Sequence, residues 1–166
     1  MSSLTTAVAA VISDPAGRVL LCQLRQGHHQ WCLPGGRIRQ SESPMHAAVR
    51  DIREETGLET HMLHLVGIYQ LTGDSCGEDL PDVLMHVFRA EIAGGEASVN
   101  APGRISRLSW HDPDTLPEPM TPTARVAIAD AVAGRAGVLR AVQRDAEPEI
   151  PDATDAEPIP ALATSS

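Results

Sequence analysis

The chain reads as an α/β protein in which a mixed β-sheet carries helices on both faces. Short β-branched and apolar runs are interleaved with two helical patterns, and Gly, Pro and Asp clusters punctuate the junctions. A length of 166 residues suits one domain with a real core, expected over 1–140, with no internal repeat of solenoid period.

The elements follow in order. Residues 6–13 and 18–24 are two apolar runs joined by Asp14-Pro15-Ala16-Gly17, which predicts a β-hairpin. A polar break precedes a short strand at 31–33, which Pro34-Gly35-Gly36 ends sharply. Ser43 as N-cap, Pro44 in the first turn and Gly57 past the end predict a helix over 44–56. Strands are expected at 65–71, at 83–92 with a tight hairpin turn at Gly94-Gly95, and at 105–110. The proline-rich stretch 111–119 reads as a loop, and Thr121-Pro122 opens a second helix that closes at Gly134. Beyond Arg144, repeated Asp, Glu, Pro and Ala bury too little apolar surface to offset ordering entropy, so 145–166 is expected to be a disordered acidic tail.

Composition narrows the function. The net charge is −9, but six acids and no base fall in 145–166, leaving 16 acids against 13 bases elsewhere. No clustered positive charge suits a phosphate backbone, which argues against general nucleic-acid binding. Cys22, Cys32 and Cys76 lack zinc-ligand spacing and read as reduced thiols. No leader pattern and no apolar run near ~18 residues is visible, so a soluble, cytoplasmic protein with no membrane partner is expected. Aromatic residues are limited to Trp31, Tyr69, Phe88 and Trp110, so Val, Leu, Ile and Ala must supply most of the core.

The chemistry concentrates on the first helix. At ~100° per residue, Asp51, Glu54 and Glu55 fall within about 100° of one another, while Met45, Ala48, Val49 and Ile52 form an apolar flank. Ionised acids at i, i+3 and i+4 repel, and such a set wants a cation; hard oxygen donors favour Mg²⁺ or Mn²⁺, completed by water and substrate phosphate oxygens. A solvated acidic face is the plain alternative. Gly35 and Gly36 permit close approach of main chain to a ligand, or form a plain strand-to-helix turn. Arg37 follows them, and Trp31 offers a ring for stacking on a base, with core packing as the default for each aromatic. His28 and His29 precede Trp31 in the same loop, and Arg104 and Arg107, three apart, point to opposite faces of an ideal strand.

Counted out, the segment is Gly36, five residues, Glu42, seven residues, Arg50, Asp51, Ile52, any residue, Glu54, Glu55, any residue, Gly57, Leu58. This spacing resembles the signature of the Nudix hydrolases, and the resemblance covers roughly residues 5–135. It implies an α/β/α sandwich around a mixed sheet. It also implies that Glu54 and Glu55 bind divalent metal, that Arg50 orients the neighbouring carboxylate, and that Glu42 supports the loop. The implied reaction is hydrolysis of a nucleoside diphosphate linked to another moiety, such as ADP-ribose or a nucleoside triphosphate, by water attack on phosphorus. Arg50, Asp51 and Glu54 are then the catalytic candidates, with Asp51 and Gly36 as further metal candidates and Gly35, Gly36, Arg37 and Trp31 as substrate candidates. Homodimers occur in the family.

Two departures from the family pattern stand out. Asp51 replaces a glutamate, keeping the charge on a side chain shorter by one methylene. Arg104, six residues before Trp110, falls where many members carry a loop acid that serves as metal ligand or base. Glu96 with a shifted loop, or Glu78, Asp79 and Asp82, are candidates for that part, with a solvated loop acid as the default for each. A non-hydrolytic domain that senses a nucleotide or sugar nucleotide is the alternative function.

Overall fold

The computed structural model describes residues 4–26, 28–73 and 81–144. Its elements are β1 (Leu4–Ile12), β2 (Val19–Leu24), β3 (Trp31–Cys32), β4 (Gly35–Arg37), α1 (Pro44–Thr56), β5 (Glu59–Thr72), β6 (Asp82–Gly94), β7 (Ile105–His111), α2 (Pro122–Val132) and β8 (Val138–Gln143). A five-stranded sheet has the order β4-β1-β6-β5-β8 and a three-stranded sheet the order β3-β2-β7. The larger sheet is mixed: β1 runs parallel to β6 and β5 to β8, while β4 with β1 and β5 with β6 are antiparallel.

β1 is buried on both faces, and its alternation divides the core between the helices. Ala9 and Val11 face the cluster built around Ala124, Ala127 and Ile128 of α2. Val8, Ala10 and Ile12 face the other way, Val8 with Ala47 and Ala48 of α1, and Ala10 and Ile12 with Ile52. α1 starts and stops where its sequence dictates. Ser43 accepts a 3.2 Å hydrogen bond from the His46 N–H, and Gly57, at φ +76°, closes the helix by donating to the Arg53 carbonyl.

Several expectations change. β1 and β2 share a single bridge, Ser13 with Val19, and then diverge into different sheets, so their turn joins two layers. Gly35 and Gly36, expected to break the chain, form β4 on the edge of the large sheet. A Cβ on Gly35 would sit 2.1 Å from the Val8 carbonyl oxygen, so glycine is what lets β4 lie so close to β1. Gly94-Gly95 makes no hairpin: β6 ends there, and the chain crosses to β7 in the other sheet. β5 begins at Glu59, and β8 is an additional strand. Met45 is 53% exposed, and the packing flank of α1 is Ala47, Ala48 and Ile52. The expected acidic tail, Cys76, Glu78 and Asp79 lie outside the described residues; Cys22 and Cys32 are free thiols.

A buried polar knot ties α2 to the sheet. Asp130, fully buried, accepts from the Tyr69 hydroxyl at 2.7 Å, from Arg135 at 2.8 Å and from both Nε and Nη2 of Arg140 at 2.8 Å. Burial alone would raise the Asp130 pKa; hydrogen bonds from Arg140, Tyr69 and Arg135 outweigh it and hold the carboxyl below its ordinary value.

Candidate active site

α1 lies along β4, and its buried stripe contains acids as well as aliphatic residues. Asp51 and Glu55, one turn apart, are 8% and 6% exposed and point between helix and strand, whereas the Glu54 side chain is 51% exposed at the edge. The three acids thus border one open cavity of about 410 Å³, lined otherwise by Gly35, Gly36, Arg37, Ala101 and Arg104. A second cavity, of about 460 Å³, lies between α2 and the 111–119 loop. It is lined by Leu116, Ile128 and Val132 with a single acid, Asp114, and has no cluster of reactive groups.

Arg50 organises the acids. Its Nε and Nη2 make a two-pronged contact with Glu42 at 2.6 and 2.9 Å, while Nη1 donates to Asp51 Oδ1 at 2.8 Å and Glu54 Oε2 at 3.1 Å. Nη2 also reaches the Arg37 carbonyl at 3.2 Å, linking helix to β4. Glu42 is itself held by the Arg39 backbone N–H at 3.0 Å. The Arg50 contact, with help from that N–H, pulls the Glu42 pKa down to about 2. Burial raises the Asp51 pKa against the pull of Arg50.

The Glu42 shift has a signed consequence. A carboxylate depressed on folding contributes stability that is present above its unfolded pKa of ~4.3 and disappears as pH falls toward the folded value. Thermal midpoints of wild type and Glu42→Gln are therefore expected to differ at pH 6 and to converge between about pH 4.5 and 2. A gap that persists unchanged to pH 2 contradicts this account of Glu42.

Glu55 and Gly36 have tighter surroundings. Glu55 Oε1 accepts from the Gly35 N–H at 2.8 Å, and its other oxygen pairs with the Arg104 guanidinium, which also approaches the Gly35 carbonyl at 3.5 Å. A Cβ on Gly36 would lie 3.0 Å from the Asp51 carboxylate. Asp51 Oδ2, buried there, has no hydrogen-bond partner. Gly36→Ala is therefore expected to push the Asp51 carboxylate aside and to lower turnover by about 10- to 100-fold, with a much smaller change in thermal midpoint. Steady-state kinetics beside a melting curve check this, and undiminished turnover would contradict it.

Other candidates fall elsewhere. Trp31, a candidate for stacking on substrate with core packing as its default, takes the default: it is 5% exposed in the main core, edge-on to His111 at 5.1 Å and capped by Arg107 at 5.5 Å. It does not line the cavity, because the small sheet turns its ring toward α2. Arg107 is committed to that ring, and Arg104 alone of the pair enters the cavity. His28 and His29 are exposed away from it, and Asp82 accepts from Gln70 at 3.2 Å. Glu96 is also exposed, beside the end of α1. The chain there runs back along the helix terminus, where Ser98 and Asn100 N–H groups donate to the Thr56 and Glu55 carbonyls at 2.9 and 3.0 Å. That crossing delivers Arg104, rather than Glu96, to Glu55. No sequence signal marked these capping bonds.

Residues 3–131 match the NUDIX domain. This chain belongs to the Nudix family. A Bacillus subtilis (strain 168) relative, described as a putative 8-oxo-dGTP diphosphatase, is 31% identical over 126 residues, covering 76% of this chain and 78% of that protein. A MutT-like protein of Streptomyces ambofaciens is 28% identical over 130 residues, covering 78% of each. The crystal structure of the Burkholderia pseudomallei MutT Nudix hydrolase superposes with a TM-score of 0.70 at 27% identity, covering 78% of this chain and 98% of that one. Likeness to such hydrolases over most of its length makes this Nudix chain a hydrolase.

Nudix hydrolases generally use a divalent metal. Among the described residues, no three His, Cys, Asp or Glu side chains converge closely enough to hold an ion by themselves. The donors nonetheless fit a hard cation that takes one or two carboxylates and draws its remaining ligands from water and phosphate. Asp51 Oδ2 is buried without a partner, Glu54 is half-exposed at the rim, and all the side-chain donors are oxygens.

Proposed function

We propose that this protein hydrolyses a nucleoside diphosphate linked to another group, with Mg²⁺ or Mn²⁺ held by Glu54 and Glu55 and with Asp51 completing the acidic face. The observation that carries this reading is the cavity in which those three carboxylates, two of them ordered by Arg50 and Glu55 by the Gly35 N–H, border Gly35, Gly36 and Arg37. When bound, the cation would neutralise diphosphate charge and acidify an attacking water. Arg50 holds Asp51 and Glu54 in fixed orientations, so little reorganisation remains when substrate arrives. Asp51 Oδ2, buried beside Gly36 without a protein donor, would add its negative charge to the cation's surroundings. Arg37 and the half-buried backbone at Gly36 border the space for the phosphates.

Nucleoside triphosphates head the list of substrates, since the Bacillus subtilis relative carries the name of an 8-oxo-dGTP diphosphatase. A panel of nucleoside triphosphates, ADP-ribose and nucleotide sugars, assayed with Mg²⁺ or Mn²⁺ by product chromatography, tests the proposal. Cleavage within the diphosphate is the expected result. Tight nucleotide binding with no cleavage of any compound would overturn it and favour the sensor alternative.

A further inference from the structure

The least expected group in the cavity is the Arg104 guanidinium. Glu55 is buried and fixed, its side chain 8% exposed and one oxygen bound by the Gly35 N–H; Arg104 is 53% exposed. The Arg104 main chain is anchored. Its N–H donates to the Ala101 carbonyl at 3.0 Å, its carbonyl accepts from Arg25 N–H at 2.8 Å, and Arg25 Nε holds the Pro102 carbonyl at 2.6 Å. In this pair the carboxylate is stationary and the cation can leave without moving the backbone.

A buried carboxylate without a cation is costly, and Arg50 is already committed to Glu42, Asp51 and Glu54. Arg104 therefore serves as the counter-ion of Glu55 in the metal-free protein. A divalent cation arriving at the same carboxylate repels the guanidinium and competes for the same lone pairs. Released from Glu55 but tethered at the cavity rim, a planar fork of N–H donors suits a phosphate group.

Resting on the metal site proposed above, we propose that Arg104 is an exchangeable occupant of that site, which yields Glu55 to the divalent cation and then engages the substrate's diphosphate. It would act as a positioning residue for Glu55 before metal binding and as a phosphate contact afterwards. The two roles predict opposite effects of one substitution.

The test is calorimetric titration of the full chain with Mn²⁺ alone, and then with the Mn²⁺ complex of methylenediphosphonate, for wild type, Arg104→Gln, Arg104→Lys and Glu55→Gln. Arg104→Gln is expected to bind Mn²⁺ roughly three- to tenfold more tightly than wild type and the diphosphonate complex about tenfold more weakly. Arg104→Lys keeps the charge without the fork, so Mn²⁺ affinity stays near wild type while the diphosphonate complex still weakens. Melting curves establish that each variant is folded, and should Arg104→Gln fail to fold, an undiminished diphosphonate affinity in Arg104→Lys overturns the proposal. Mn²⁺ affinity that is unchanged or lower in a folded Arg104→Gln overturns it as well. Glu55→Gln separates the failures: Mn²⁺ binding indifferent to Glu55→Gln removes the metal site itself, whereas loss there without a gain in Arg104→Gln removes the exchange alone.

Discussion

Glu54→Gln is expected to reduce turnover at least ~100-fold while leaving the thermal midpoint nearly unchanged. The side chain is half-exposed, and its ties are an exposed 3.1 Å contact from Arg50 and a 3.5 Å approach by Arg39. Exposed pairs of this kind contribute on the order of 1 kcal/mol or less, so the fold does not depend on them. The charge is what the proposed site uses. An amide of the same shape keeps an acceptor oxygen but loses the negative charge that would hold the cation at the rim. Glu55→Gln is a less clean comparison, because it also disturbs the Gly35 N–H bond that holds β4 against α1 and leaves Arg104 without its buried partner. Turnover and melting curves of Glu54→Gln, measured together, separate chemistry from folding, and an unchanged rate would remove Glu54 from the mechanism.

Asp130→Ala is expected to destabilise the protein by about 3–5 kcal/mol, the usual cost of removing one partner from a buried ionic network. The loss has three parts. The Tyr69 hydroxyl, on a fully buried side chain, loses its acceptor, and Arg135 and Arg140, whose side chains are 9% and 17% exposed, lose a shared carboxylate. These groups come from α2, β5, β8 and the connection between α2 and β8, so the effect reaches the edge of the large sheet. At ~2–4 °C per kcal/mol for a domain of this size, the midpoint should fall by roughly 6–20 °C. Asp130→Asn keeps an acceptor and should fall between the two. Asp130→Ala melting within about 2 °C of wild type would contradict this role.

How far the sequence could be read depended on where the decisive contacts lie. α1 was legible because its signals are local: Ser43, Pro44 and Gly57 each act within a few residues, and the spacing of Arg50, Asp51, Glu54 and Glu55 is set by helical geometry. β4 was illegible because Gly35 and Gly36 are glycine for long-range reasons, the Val8 carbonyl in one case and the Asp51 carboxylate in the other, and glycine pairs read locally as turns. The start of β5 was hidden by irregularities between Met62 and His64 and between Leu65 and Gly67, which break the alternation that marks a strand. β8 carries Arg140 in a position that looks solvated until Asp130 appears beside it. The acids of α1 were seen as one group, but their division into buried Asp51 and Glu55 and exposed Glu54 required knowing where β4 lies. Arg104 was visible as a departure from the family pattern; its partner, Glu55, is set by the bonds that 98–100 make to the end of α1.

The central claim is that the α1 carboxylates bind the catalytic cation beside Gly35 and Gly36. Anomalous diffraction from crystals soaked in Mn²⁺ with a non-hydrolysable nucleotide tests it most directly. The expected result is an Mn²⁺ peak about 2.0–2.3 Å from carboxylate oxygens of Glu54 or Glu55, with the nucleotide's phosphate oxygens completing its coordination. A nucleotide bound with its metal elsewhere, and no peak near α1, would contradict it.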